Sequence, residues 1–247
     1  MGNCCKKTQY TTEFHKNTNK LKYEGTYINN KKNGLCIELN IQQDIIFEGQ
    51  FINDKKNGLG IIFNNTQKIF EGYFIDNNKN GYGKEYTENK LYYEGEWLND
   101  LKYGNGTLYY FEPNTIYFNG IFNNNKKTGR GKLYYKNTNL KLDGLWKDDL
   151  LINGIEYWEN GQIKYQGSFK DDKYFGEASI YLENGKIHYD GIFLNGFKYG
   201  YGKEYDNNLL IYEGNFINNI KTGYGKYYEN NKLIYEGYLL NNKRHNY

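Results

Sequence analysis

The side chains best placed for chemistry stand in the first seven residues, Met1-Gly2-Asn3-Cys4-Cys5-Lys6-Lys7. Removal of Met1 would leave Gly2 as an acceptor for N-myristoylation, and Cys4 and Cys5 sit where palmitate is commonly added. One myristoyl chain holds a protein to a bilayer only marginally, so a stable anchor needs a second signal. Palmitate on either cysteine supplies it, and Lys6, Lys7, Lys16, Lys20 and Lys22 add attraction to anionic lipid. Lys6 departs from the motif, which prefers Ser or Thr there. Gly2, Cys4 and Cys5 are the expected lipidation sites; the plainer alternative is a tail with two incidental thiols.

A second candidate is a column of lysines. Lys32, Lys56, Lys79, Lys102, Lys127, Lys198 and Lys221 each precede a glycine by two residues at regular intervals. If the intervening segments stack, these lysines fall along one edge about 10 Å apart. Such an edge, like Lys6 and Lys7, suits anionic lipid or an acidic partner. The alternative is a solvated turn that blocks edge pairing. Acids recur as regularly (Glu24, Glu48, Glu71, Glu94, Asp143, Asp190, Glu213, Glu236), and the formal net charge is only +3. That balance argues against nucleic acid, which wants a net basic face.

Catalysis finds little support. His15, His188 and His245 are too far apart in a linear array for a Ser/His or Cys/His pairing. No His/Cys cluster has metal spacing. The carboxylates form a ladder with nothing to push two pKa values apart in a closed site. No catalytic residue, metal ligand or cofactor is expected.

These residues are positioned by a repeat. An aromatic or apolar residue, usually an acid, a glycine, any residue and then an aromatic or leucine recurs every 23 to 25 residues. Its glycines are Gly25, Gly49, Gly72, Gly95, Gly120, Gly144, Gly167, Gly191, Gly214 and Gly237. A period this short marks copies of one supersecondary unit. With 29 Tyr, 29 Gly, no Val, one Ala and one Pro, the chain favours pleated surfaces and lacks the best helix former. Alternation puts Tyr93, Gly95 and Trp97 on one sheet face and Glu94 and Glu96 on the other. The Asn/Asp/Lys/Gly segment that follows reads as a turn, with the GxG glycines (Gly104 and Gly106, Gly223 and Gly225) at its exit. Asn160-Gly161 and Asn184-Gly185 read as two-residue hairpin turns between repeats. The repeat glycine leaves a slot in which neighbouring rings lie flat.

The predicted fold is all-β: an elongated single-layer antiparallel sheet of about ten tandem β-hairpin repeats. Residues 1–20 form an N-terminal arm and residues 21–247 the array, its last copy truncated. Tyr93, Trp97, Tyr212 and Phe216 are expected to present an aromatic contact face for partners, since exposed Tyr and Trp are rigid and amphipathic. Open sheet ends could pair with a second copy, giving a possible homodimer. No stretch reaches the 18 or so apolar residues of a spanning helix. The N-terminus has no signal-peptide core, and three cysteines give no disulfide framework. A cytoplasmic, non-secreted protein is expected.

The phrase Tyr93-Glu94-Gly95-Glu96-Trp97, with Lys221-Thr222-Gly223-Tyr224-Gly225 and the recurrence near 23 residues, resembles the MORN repeat, the membrane occupation and recognition nexus. The resemblance covers residues 23 to 247. It implies a non-catalytic β-hairpin array that serves as an interaction or membrane-tethering module. Two alternatives stay open: a soluble structural component of a cilium or the cytoskeleton, and an accessory subunit of a lipid-kinase-type assembly. Cys36, Glu156 and Ala178 depart from the pattern, standing where the second glycine of GxG belongs, so copies one, six and seven are expected to be locally irregular.

Overall fold

The hairpins turn on pairs of residues with positive φ. Asn53-Asp54, Asp76-Asn77, Asn99-Asp100, Asn124-Asn125 and Asp148-Asp149 have φ between 49° and 79° at both positions. That is the backbone of a two-residue hairpin loop whose twist matches the flanking strands, and Asn and Asp tolerate it best after glycine. The turn is therefore shorter than the sequence suggested. Lys55, Lys126 and Lys173 already begin the returning strands.

The computed structural model describes residues 8 to 245. Two compact units divide the chain, one ending at Asn125 and one beginning at Lys126. The first holds β1 (Thr8–Phe14), β2 (Leu21–Ile28), β3 (Lys31–Leu39), β4 (Ile45–Ile52), β5 (Lys55–Asn64), β6 (Gln67–Ile75), β7 (Asn78–Thr87), β8 (Lys90–Leu98), β9 (Leu101–Tyr109) and β10 (Ile116–Asn123). The second holds β11 (Lys126–Tyr134), β12 (Leu140–Lys147), β13 (Leu150–Tyr157), β14 (Ile163–Lys170), β15 (Lys173–Tyr181), β16 (Ile187–Leu194), β17 (Phe197–Asp206), β18 (Leu209–Ile217), β19 (Ile220–Glu229), β20 (Lys232–Leu240) and β21 (Lys243–Arg244). Within each unit every strand pairs antiparallel with the next in sequence, and no helix forms among the described residues. The all-β array of tandem hairpins is as expected.

The glycines lie mid-strand and face one another across the ladder. In the first unit Gly49 pairs with Gly60, Gly60 with Gly72, Gly72 with Gly83, Gly83 with Gly95 and Gly95 with Gly106. The second unit has a row of its own, from Gly131 through Gly144, Gly154 and Gly167 to Ala178. The second glycine of each GxG is thus a ladder residue rather than a turn exit. The first, such as Gly81 or Gly200, has φ of +87° or +66° and sits where the register shifts. It builds a bulge of the type that takes a left-handed glycine.

Rings fill the slot that the glycines leave. A methyl group added at Gly83 would lie 2.5 Å from Phe70 Cζ, and one at Gly202 would lie 2.6 Å from Tyr189 Cζ. The rings meet edge to face in a zigzag: Phe70 to Phe74 at 5.4 Å, Phe70 to Trp97 at 5.3 Å, Tyr93 to Trp97 at 5.4 Å. Edge-to-face pairs at such distances add to the area they bury. The phenol oxygens are satisfied locally, Tyr93 donating to the Glu96 carbonyl at 3.1 Å and Tyr165 to the Ser168 carbonyl at 2.6 Å.

Three expectations are corrected. Tyr93, Trp97, Tyr212 and Phe216 are no exposed contact face; at 0, 4, 0 and 1% exposure they are the core. A single sheet has nothing else to bury, so its largest rings cover its own glycines. Glu156 does not occupy a glycine's place: Gly154 does, facing Gly144 and Gly167. The sixth hairpin is one residue short between its turn and its ladder position and has no bulge glycine, so Gly154 reads as the first glycine of a pair. Cys36 and Ala178 do stand in the row, as expected. Finally, Asn160-Gly161 closes a longer loop, Gly161 donating to the Trp158 carbonyl and Trp158 to the Gln162 carbonyl. Only Gly161 takes positive φ there, while Asn160 Oδ1 accepts from the Gln162 N–H at 2.9 Å. Gly185 closes its loop likewise, donating to the Leu182 carbonyl.

Candidate functional site

The lysine column lies on the ring side. Alternation along the returning strand turns Lys56, Lys79 and their counterparts toward the rings, and the short turn brings each ammonium back over them. Lys32 Nζ stands 4.1 Å from the Tyr23 ring centre, Lys56 4.2 Å from Phe47, Lys198 4.7 Å from Tyr189 and Lys221 4.5 Å from Tyr212. Lys79 stands between Phe70 and Trp97 at 4.6 and 4.5 Å. Lys102 lies 5.0 Å from Tyr93, and Lys127 lies 5.3 Å from Trp146. A cation over a ring face is attracted by the ring quadrupole, more strongly as water is removed.

Carboxylates complete the row. Glu38 accepts Lys32 at 2.9 Å and lies 3.8 Å from Lys56; Glu204 takes Lys198 at 2.5 Å and Lys221 at 2.7 Å. Glu85 meets Lys102 at 2.6 Å. Each glutamate therefore ties its own hairpin to the following one or receives the following lysine. Burial pushes the Glu204 carboxyl up, but hydrogen bonds from Lys198 and Lys221 outweigh it and leave the pKa below the usual range. Burial pulls the ammoniums of Lys79 and Lys127 below the ordinary lysine value. The column is a half-buried internal row, not a solvated edge. Lysines that do stand at the turns, Lys55 and Lys126, reach Asp76 and Asp148 instead.

Sequence reasoning missed these glutamates. The signal was present: Gly83-Lys84-Glu85 and Gly202-Lys203-Glu204 place the acid two residues beyond a ladder glycine, on the same face as the rings.

A second inter-hairpin link uses the turns. The Lys79 N–H donates to Asp100 Oδ1 at 2.8 Å, and the Asp100 N–H donates to the Lys79 carbonyl at 3.1 Å. The same reciprocal pair joins Lys32 with Asp54, Lys56 with Asn77, Lys102 with Asn125, Lys127 with Asp149, Lys198 with Asn219 and Lys221 with Asn242. The second turn residue thus needs both a left-handed backbone and an acceptor, which Asn and Asp combine. Copies six and seven are irregular here. Leu151 and Tyr174 replace the column lysines, Tyr174 stacking on Tyr165 at 3.8 Å and donating to Glu156 at 2.7 Å. Gly196, lacking a side-chain acceptor, keeps only the backbone bond to Tyr174.

The opposite face carries two outward rows flanking the glycines. One holds the repeat acids, several met by phenols: Glu94 accepts from Tyr109 at 2.5 Å, and Glu213 from Tyr228 at 2.7 Å. The other includes Leu35, Leu59, Tyr73 and Tyr82, all roughly half exposed or more. Cys36 is buried in the glycine row, and that burial pushes its thiol up to about 12, well away from a reactive thiolate. The His15 ring Nε2 meets the Leu39 carbonyl at 3.1 Å. Among the described residues no group of three or more His, Cys, Asp or Glu is arranged to hold a metal ion. Gly2, Cys4, Cys5, Lys6 and Lys7 lie outside the described residues.

Repetition of one hairpin, with links that recur in most copies, defines a tandem-repeat protein of the kind that builds surfaces. The MORN repeat profile matches residues 23–39, 47–65, 70–90, 93–111, 118–139, 165–187, 189–209 and 212–231. These segments make up more than half of the chain, and the chain belongs to the MORN repeat family. The profile passes over residues 140–164, where the hairpin is one residue short. No curated protein sequence matches the chain.

Proposed function

We propose that this MORN repeat array is a non-catalytic interaction scaffold, held to a cytoplasmic membrane face by acylation of Gly2 and of Cys4 or Cys5. The observation that carries the scaffold reading is the regular outward face. There charged and apolar side chains stand in rows at the strand spacing, while the opposite face is closed by its own rings and lysines. A surface repeated at fixed intervals suits recruitment along its length.

The tether rests on the Gly2, Cys4 and Cys5 motif. Attraction to anionic lipid falls to Lys6, Lys7 and the neighbouring arm. Lys32, Lys56, Lys102, Lys198 and Lys221 would have to leave Glu38, Glu85 or Glu204 and the rings to reach a phosphate. Intact-mass measurement of the natively expressed protein is expected to show added acyl chains. Membrane fractionation should place the wild type with membranes and Gly2→Ala in the soluble fraction. An unmodified mass with both proteins soluble overturns the tether and favours a soluble structural role.

A further inference from the structure

A trench runs over the ladder row on the outward face of the first unit. Its floor is backbone, because the ladder positions face the rings, where a Cβ added at Gly60 or Gly83 would meet Phe47 or Phe70. One concavity of about 360 Å³ is walled by Leu59, Tyr73 and Tyr82 on one side and by Ile61, Glu71 and Lys84 on the other. A second lies between Leu35 and the Glu24 and Glu48 side.

The two walls differ in chemistry. Across the strands the acid-side wall reads Glu24, Ile37, Glu48, Ile61, Glu71, Lys84, Glu94. Four carboxylates stand against one lysine, and Lys68 meets Glu71 from the side at 2.7 Å. The matching row of the second unit has Asp143, Asp190, Glu213 and Glu236 against Lys132, Lys203 and Lys226. Its charges nearly cancel, so a cation finds its complement in the first unit.

Width and period select the ligand's shape. The walls are two residues apart along each strand, about 6.7 Å. An α-helix of about 10–12 Å is too wide to enter. Carboxylates recur on alternate strands, about 9.6 Å apart. A polyproline-II chain repeats every three residues, about 9.3 Å. We infer that the outward trench of the first unit binds an extended basic polypeptide, running across the strands, with Lys or Arg at every third position and apolar residues between. The cations meet Glu24, Glu48 and Glu94 while the apolar residues lie against Leu35, Leu59, Tyr73 and Tyr82. This deepens the scaffold reading and rests on it.

The probe is a fluorescent (Lys-Pro-Leu)5 peptide titrated with the full-length protein by anisotropy. Binding is expected to weaken as salt rises, to fall at least five-fold in Glu48→Lys and in Leu59→Asp, and to be unaffected by Asp190→Lys in the second unit. Each variant is compared with the wild type by thermal melting, and Glu48→Gln gives a milder substitution at the same exposed site. A (Glu-Pro-Leu)5 peptide should not bind. No binding of the basic peptide, equal loss from Asp190→Lys, or equal binding of a helical peptide of the same charge overturns the inference. If the peptide fails while proteins are still captured by the array, the ligand assignment falls and the scaffold reading stands.

Discussion

The Tyr93 ring lies across Gly106 on the facing strand, so that a methyl group on that glycine would sit 2.6 Å from Tyr93 Cε2. The contact couples two levels of the structure. A residue with no side chain permits the ring to be fully buried, and the buried ring supplies the apolar contact that a single sheet otherwise lacks.

Gly106→Ala should therefore destabilise the protein by about 2–3 kcal/mol, the cost of forcing extra volume into a closed site. Gly161→Ala makes the comparison. That glycine has φ of +86° and nothing within 4 Å of the added atom, so only backbone strain of about 1 kcal/mol is expected. Urea unfolding of the two variants should reproduce that order. Equal losses would mean that backbone conformation, not ring contact, holds glycine at the ladder positions.

A gain of stability is expected from Gly196→Asn. The left-handed backbone at φ +85° suits asparagine, the nearest atom to an added Cβ is Lys173 Cβ at 3.9 Å, and the new amide oxygen can accept the Tyr174 N–H. The restored link should add about 0.5–1 kcal/mol. Asp100→Gly, which keeps the turn but removes the acceptor for Lys79, should lose a similar amount. Thermal melts of both variants check the pair.

Glu204→Gln leaves Lys198 and Lys221 facing each other without their shared carboxylate. A loss of about 2 kcal/mol at neutral pH is expected, below that of a fully buried pair because water reaches part of the cluster. The folded-state pKa of Glu204 is lowered, so its contribution is full above the unfolded value of about 4.3. It disappears as pH falls through the lower folded value. Wild type and variant should converge in stability in acid, measured by denaturant midpoints between pH 7 and pH 2.

Burial raises the phenols of Tyr93, Tyr189 and Tyr212 above the ordinary tyrosine value. A raised folded pKa contributes stability below the unfolded value of about 10, and loses it as pH rises through the folded one. Ultraviolet titration should leave these three phenols un-ionised while the sheet stays folded. The buried set should ionise together with unfolding, read by circular dichroism. A single unperturbed titration with the sheet intact would contradict the ring packing.

The array was legible because period and alternation are local. The spacing of Gly72, Gly95 and Gly120 is visible without any knowledge of pairing. What sat opposite what was not. That Gly95 faces both Gly83 and Gly106 depends on a bulge and a two-residue turn, which together set the register. The same gap misplaced the lysines. Lys79 reads as a solvated turn residue until the turn contracts to Asn99-Asp100 in the next hairpin and Asp76-Asn77 in its own. Trp97 reads as a contact residue until the sheet is known to bury rings on itself. Glu156 reads as the ladder residue because Gly154, with no bulge glycine before it, passes for the first glycine of a pair.

The turn links also carry a direction. Asp100 secures Lys79, and Asn125 secures Lys102; where the link forms, the new turn fastens onto the hairpin synthesised just before it. A ribosome releasing this chain from its N-terminus thus presents such a hairpin with a finished template already outside the exit tunnel. Growth can proceed copy by copy, without waiting for distant sequence.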